Sequence, residues 1–311
     1  MFTFEEFKVE IKEKVQAFFG EDYNVSVRDF PKNNGVILHG LTALYKDSCI
    51  SPTIYLEPYY KAYCDGSEIR DIVMNIYEFY EKYKFTGQMN LDFLLDYGQV
   101  KTRIFCKLIH YENNRKMLSD VPHKRFLDLA MVCYIHYMND FMGEGSILVR
   151  TGQLDDWGIP EETLFTDARH NMENKMKPEI LSMKEIILGM MAKQGGRDTR
   201  EYREMEEAFR DPEYADSMYV LTHKNGYFGA VSMCDDRIME KFSKDCHGSF
   251  YILPSSIHEL ILIPDRGIHQ KDELKCMVEE VNAGCVMDEE RLSDNVYYYD
   301  AKLKKVDSCF L

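Results

Sequence analysis

The stretch Tyr251-Ile252-Leu253-Pro254-Ser255-Ser256-Ile257-His258-Glu259-Leu260-Ile261-Leu262-Ile263-Pro264 limits what this chain can fold into more than any other. Two apolar runs of strand length enclose a short polar centre. Phe250–Leu253 and Glu259–Ile263 read as strands, and Pro254-Ser255-Ser256 reads as the turn between them. This strand–turn–strand joint is expected near the centre of a C-terminal sheet. The polar centre is also the densest group of chemically able side chains in the sequence: two hydroxyls, an imidazole and a carboxylate.

Signals on either side extend this pattern. Thr3-x-x-Glu6 is a capping box for a helix with Phe4, Phe7, Ile11, Val15 and Phe18 on one face and Gly20 at its end. An antiparallel three-strand meander follows: Val25–Arg28, Val36–Tyr45 across Asn33-Asn34-Gly35, and Ile50–Glu57 across Lys46-Asp47-Ser48. Ser67 opens a helix with Ile69, Ile72, Val73, Ile76, Tyr80 and Tyr83 on one face. Val100–Tyr111 fits a strand, with a helix nearly as good. Phe126–Met138 reads as one long central strand, and Gly143-Glu144-Gly145 turns it into Ser146–Arg150. Pro160 starts a helix with Glu161 and Glu162 in its first turn, and Ser182-x-x-Glu185 caps another. Asn225-Gly226 joins Met218–Lys224 to Tyr227–Met233 as a predicted hairpin, since both central residues of its turn need positive φ. Asp235 caps a helix to about Cys246. Leu274, Met277, Val278 and Val281 mark another helix, and Asn295–Asp300 a last strand.

The expected fold class is α+β, with antiparallel hairpins and amphipathic helices packed on them. Lys193–Tyr214, with Gly195-Gly196 and alternating charges, reads as a hinge followed by a solvated helix. It divides the chain into an N-terminal α+β region (residues 1–192), a charged linker (residues 193–214) and a C-terminal α+β region (residues 215–311).

Composition narrows the function. With 38 basic and 53 acidic residues, the formal charge is −15, which repels phosphate backbones and anionic membranes. We therefore expect no nucleic-acid or membrane partner, and instead another protein or a basic ligand. Nine cysteines, odd in number and without Cys-x-x-Cys, read as reduced thiols in a cytoplasmic protein. The N-terminus has no signal-peptide pattern, and no apolar run approaches the roughly 20 residues that span a bilayer.

The candidates for chemistry are Ser255, Ser256, His258 and Glu259, because Ser is a common nucleophile and His and Glu are the usual proton carriers. On a strand His258 and Glu259 point to opposite faces, and no Gly-x-Ser-x-Gly elbow surrounds the serines. The plainer reading is a turn whose hydroxyls bond backbone amides. A hydrolase would need a second acid or base, such as Asp294 or Asp235, beside His258. His247, His258 and His269 recur at intervals of 11, but nothing provides the close ligand pair of a zinc site. Cys246-His247 sits at a helix C-terminus, which raises rather than lowers a thiol pKa. His123 with Asp128, and His136 with Asp140, read as hydrogen-bonded core or edge histidines. No phosphate loop is present, so no cofactor and no metal is expected. Tyr297-Tyr298-Tyr299, with Tyr55, Tyr59, Tyr60 and Tyr63, could line a recognition surface, but half-buried structural tyrosines are the plainer reading.

The residues Tyr251–Glu259, the Asn225-Gly226 pair, Val281-Asn282 and Leu292-Ser293-Asp294-Asn295-Val296-Tyr297-Tyr298-Tyr299-Asp300 resemble a bacterial family, "domain of unknown function 5688". Tyr111-Glu112-Asn113-Asn114, Phe126–Ala130 and Trp157-Gly158 through Asn171 resemble it too. The likeness covers nearly the whole chain, with a more distant similarity to "domain of unknown function 1444". It implies a cytosolic protein of anaerobic, gut-type bacteria and carries over no catalytic residue. We expect a non-enzymatic binding or regulatory protein. The alternatives are a hydrolase with a cleft at Pro254–Glu259 and, third, an acidic mimic that blocks a nucleic-acid-binding enzyme.

Overall fold

The computed structural model describes residues 1–310 except 47, 49, 85–91, 140–142 and 211–217. It is an α+β protein with antiparallel sheets. Compactness divides it into two units, Met1–Asp92 with Tyr137–Ser146, and Phe93–His136 with Ile147–Leu311.

In the first unit, helix α1 (Phe4–Phe19) is closed by the Thr3/Glu6 capping box and stopped at Gly20, whose φ is 89°. A sheet in the order β1-β2-β3 follows, made of β1 (Tyr23–Pro31), β2 (Ile37–Tyr45) and β3 (Ile54–Tyr55). The third strand is shorter than the predicted Ile50–Glu57. Pro58 lies in the first turn of a helix, α2 (Glu57–Cys64), where its missing N–H costs nothing. Helix α3 (Ile69–Tyr83) starts after Glu68 rather than being capped by Ser67. Phe7, Ile11 and Val15 of α1 and Ile72, Val73 and Ile76 of α3 enclose one core with Leu41 and Ala43 of the sheet.

The second unit holds two sheets. In the first, β4 (Ile104–His110) and β5 (His123–Phe126) flank β6 (Leu129–Asn139); β6 also pairs with β7 (Gly143–Leu148), and the end of β6 from Tyr137 and the start of β7 to Ser146 are counted with the first unit. The apolar run 126–138 is thus not one strand. Leu127 adopts φ 56°, so Leu127 and Asp128 reverse the chain and Phe126 pairs with Leu129. No glycine or asparagine marked this turn. The predicted strand across 100–111 is present as β4.

Helices α4 (Thr151–Trp157) and α5 (Glu161–Lys175), strand β8 (Pro178–Ser182), and helices α6 (Met183–Gln194) and α7 (Arg200–Ala208) come next. After them are β9 (Tyr219–His223), α8 (Asp236–Asp245), β10 (Phe250–Pro254), β11 (Leu260–Pro264), α9 (Lys271–Gly284), β12 (Tyr297–Asp300) and β13 (Lys305–Ser308). The second sheet has the order β13-β12-β10-β11-β9-β8. Its two central strands are the apolar runs of the 251–264 stretch, and every residue of β10 is buried. The charged stretch beginning at Lys193 lies within this unit, and β8 and β9, from either side of it, pair directly. Residues 211–214 of that stretch lie outside the described residues.

The predicted Asn225-Gly226 hairpin does not form. The turn itself is present: Gly226 has φ 76° and its N–H bonds His223 C=O at 2.7 Å. The return strand is missing because β9 already has a neighbour on each edge, β8 and β11. Gly229–Cys234 coils instead into a buried 3-10 segment.

Candidate functional site

The turn between β10 and β11 meets the loop after β9. His258 C=O accepts from Gly229 N–H at 2.9 Å and from Thr222 Oγ1 at 3.1 Å. Phe228 N–H donates to His258 Nδ1 at 3.2 Å. In the neutral ring the proton then sits on Nε2, which faces Glu290 Oε1 at 3.4 Å. Glu290 is held in place by its own C=O, which accepts from Ile257 N–H at 2.9 Å. The acid beside His258 is therefore Glu290. Asp235 instead caps α8 and pairs with Arg237, and Asp294 accepts from Asn282.

The serines are engaged within the turn. Ser256 Oγ accepts from His258 N–H at 3.0 Å, and Ser256 N–H bonds Glu259 C=O at 3.2 Å. Ser255 Oγ donates to Glu259 Oε1 at 3.4 Å. The structure brings Ser255 to Glu259 and His258 to Glu290, but brings neither serine hydroxyl to the imidazole ring. Ser256 meets only the backbone N–H of His258 and Ser255 meets Glu259, so this arrangement has no direct proton path from a serine to the His258 ring.

Sequence reasoning missed the other half of the site. Phe228 sits in the left-handed region at φ 53°, a strained conformation for a bulky residue. Its ring stacks on His258 with centroids 5.2 Å apart and meets Tyr134 edge-on at 4.8 Å. Lys107 Nζ lies 4.6 Å from the Phe228 ring centroid. The next residue must be glycine: a Cβ on Gly229 would lie 2.5 Å from Thr222 Cα and 2.7 Å from His258 O. Tyr227, 49% exposed, sets its ring edge-on to His258 at 5.8 Å. Beneath the loop, buried His223 bridges Tyr227 C=O through Nδ1 and Ser232 Oγ through Nε2, both at 3.1 Å. Burial holds the His223 pKa below its ordinary value. Only Asn225-Gly226 pointed to this loop in the sequence.

A second polar cluster lies in the same unit. Asp128, 7% exposed, accepts from Ser293 Oγ and Asn295 Nδ2 at 2.7 Å and from Tyr297 OH at 2.8 Å. The turn at 127–128 is thereby fastened to the chain entering β12. Burial and the adjacent Asp128 push the Tyr297 hydroxyl well above the usual tyrosine range. His123 does not bond Asp128; its Nδ1 lies 2.8 Å from Val121 O. The residues that bear the family likeness lie in both clusters, and the family model for DUF5688, a family of unknown function, matches residues 4–301. The chain belongs to DUF5688. No curated protein and no solved structure matches it.

Among the described residues no group of three or more His, Cys, Asp or Glu side chains is placed to hold a metal ion. Burial raises the Cys246 thiol, the direction that leaves it protonated. Tyr297 and Tyr299 are buried, and Tyr298 donates to Asp265 at 2.8 Å. His136 lies edge-on to Phe105, and its predicted partner Asp140 lies outside the described residues. Among the described residues no helix is long and apolar enough to cross a membrane.

Proposed function

We propose that this DUF5688 protein is a non-enzymatic binding protein of the bacterial cytoplasm. Its recognition surface is the junction of the 227–229 loop with the 254–259 turn, and its partner is a protein or ligand offering a basic group. One observation carries this reading: the His258 ring contacts Phe228 N–H and Glu290, while Ser255 bonds Glu259 and Ser256 accepts from the His258 backbone N–H, so neither hydroxyl meets the ring. The exposed Tyr227 ring and the Glu290 carboxylate both contact the His258 ring, and with Glu259 at the same turn they suit a guanidinium or ammonium group through cation–π and carboxylate contacts. The test is a turnover panel of ester, amide and phosphoester substrates run with the wild type and Ser256→Ala. The expected result is no turnover by either. Turnover abolished by Ser256→Ala would overturn the reading. A short arginine-rich peptide, titrated calorimetrically, should bind the wild type more tightly than Glu290→Gln and Tyr227→Ala, while Glu279→Gln on α9 leaves binding unchanged.

The alternative is a hydrolase with its cleft at Pro254–Glu259. The His258–Glu290 contact favours it, because a carboxylate orienting an imidazole is the base half of a nucleophilic site. It requires Ser255 to leave Glu259 and turn toward His258, and the same panel decides between the two.

A further inference from the structure

In the first unit the small sheet leaves few spare backbone groups. Lys32 N–H bonds Val36 C=O at 2.7 Å, continuing a register in which Asn24, Ser26, Arg28 and Phe30 face Leu44, Thr42, Gly40 and Leu38. Even-numbered residues of β1 therefore make the ladder bonds, and odd-numbered residues turn N–H and C=O away from β2. The outward groups of β2 are partnered: His39 C=O accepts from Leu56 N–H at 2.9 Å, His39 N–H donates to Glu57 at 2.7 Å, and Ala43 N–H donates to Ser51 Oγ at 2.9 Å. On β1 the Gln16 amide stands in for a strand. Its Nε2 donates to Tyr23 C=O at 2.9 Å, and its Oε1 accepts from Val25 N–H at 3.0 Å. Beyond that point the provision stops. Among the described residues nothing meets Val25 C=O or the N–H and C=O groups of Val27 and Asp29.

These groups alternate donor and acceptor along an extended edge, which only another extended chain can match. We infer that β1 pairs antiparallel with β1 of a second copy of this chain, about a two-fold axis at Val27. Val27 then exchanges both bonds with the partner's Val27, and Asp29 N–H donates to the partner's Val25 C=O, with the reciprocal bond by symmetry. Two features select this register. Centring the pair on Arg28 would set Arg28 opposite the partner's Arg28, whereas the Val27 register sets it opposite the partner's Ser26. Centring it on Ser26 would leave both central pairs, Val25 with the partner's Val27, one bond short, because Gln16 already holds the Val25 N–H; the Val27 register loses that bond only at its outer pairs. Charge permits the contact as well. Tyr23–Pro31 carries one cation, Arg28, and one anion, Asp29, so this edge is neutral on a chain of net charge −15. The remaining acidic surfaces repel each other and are screened by salt, so the pairing tightens as ionic strength rises.

Sedimentation velocity of the full chain tests this. The expected species has twice the 36.6 kDa chain mass, with a larger dimer fraction at higher salt. Val27→Pro removes the donor that faces away from β2 and leaves the ladder intact, as proline is tolerated on an open strand edge. Losing both central bonds should weaken dimerisation by about 30-fold or more, and Val27→Thr should preserve it. Amide exchange on the wild type gives a second reading. Val27 and Asp29 should be protected when concentrated and exchange quickly on dilution, while Val25 stays protected at both concentrations. A monomer at every concentration and salt overturns the inference. So does a dimer in which the Val27 and Asp29 amides exchange freely, or a folded Val27→Pro chain that dimerises as well as wild type. Should Val27→Pro fail to fold, the wild-type exchange pattern decides.

Discussion

The two polar clusters of the second unit look alike in sequence and differ in structure. Around Asp128, three neutral donors converge on one buried carboxylate at 2.7–2.8 Å, and Ser293, Asn295 and Tyr297 come from a segment more than 160 residues later. Around His258, the contacts run from 2.9 to 3.4 Å, the imidazole is partly exposed, and the adjoining backbone is strained at Phe228. The first cluster ties two distant segments through short bonds to a buried carboxylate, with His110 3.9 Å away, which makes it a fastening. The second spends conformational strain to hold an aromatic stack and a carboxylate near the surface, which suits a site that meets something else.

Four measurements test that contrast. The largest effect belongs to Asp128→Ala, which leaves three donors unpaired, two of them buried, and should cost about 3–5 kcal/mol in urea unfolding. A loss below about 1 kcal/mol would mean the cluster fastens nothing. Gly229→Ala comes next. Its Cβ meets backbone rather than flexible side chains, so about 2–3 kcal/mol is expected, with loss of any binding that depends on Tyr227. Phe228→Gly should then be more stable than Phe228→Ala by about 1 kcal/mol, the cost of a left-handed residue bearing a Cβ. Equal stabilities would show that the loop is unstrained.

The smallest effect is with pH. His223 has a folded pKa below its unfolded value, so between the two the unfolded chain holds more protons. Stability is full above the unfolded value near 6.5 and falls as pH drops through that window, by no more than about 1.4 kcal/mol per pH unit. His223→Gln should flatten the slope; if the slope survives that change, it belongs to other groups.

Local features were legible in the sequence and distant ones were not. The Thr3/Glu6 and Ser182/Glu185 capping boxes, the helix beginning at Asp236 and the two central strands depend on residues within a few positions of one another, and the structure has them all. The Asn225-Gly226 turn was legible for the same reason. The missing return strand was not, because it depends on β8 and β11 having taken both edges of β9. Leu127 hid a reversal inside an apolar run because bulky residues seldom carry positive φ. At the candidate site, Ser255, Ser256, His258 and Glu259 were found from their chemistry. Glu290, Phe228 and Lys107 were not, since nothing near them in sequence says which side chains they will meet. On α9 Leu274 and Val278 are buried as expected, but Asn282 is buried while Met277 and Val281 are exposed, so the buried face is turned part-way from the expected one.

The sequence distance spanned by the Asp128 cluster also sets a schedule. The first unit is complete once residue 146 has been made. The turn at 127–128 must wait for Ser293, Asn295 and Tyr297. At about 5–20 residues per second, that interval is on the order of ten seconds or more. Until then the Asp128 carboxylate lacks its three short bonds and has only the His110 ring, 3.9 Å away, beside it, so the apolar strands close over it at a cost. The second unit is thus a late finisher during synthesis, and a chain cut short before residue 293 cannot mature.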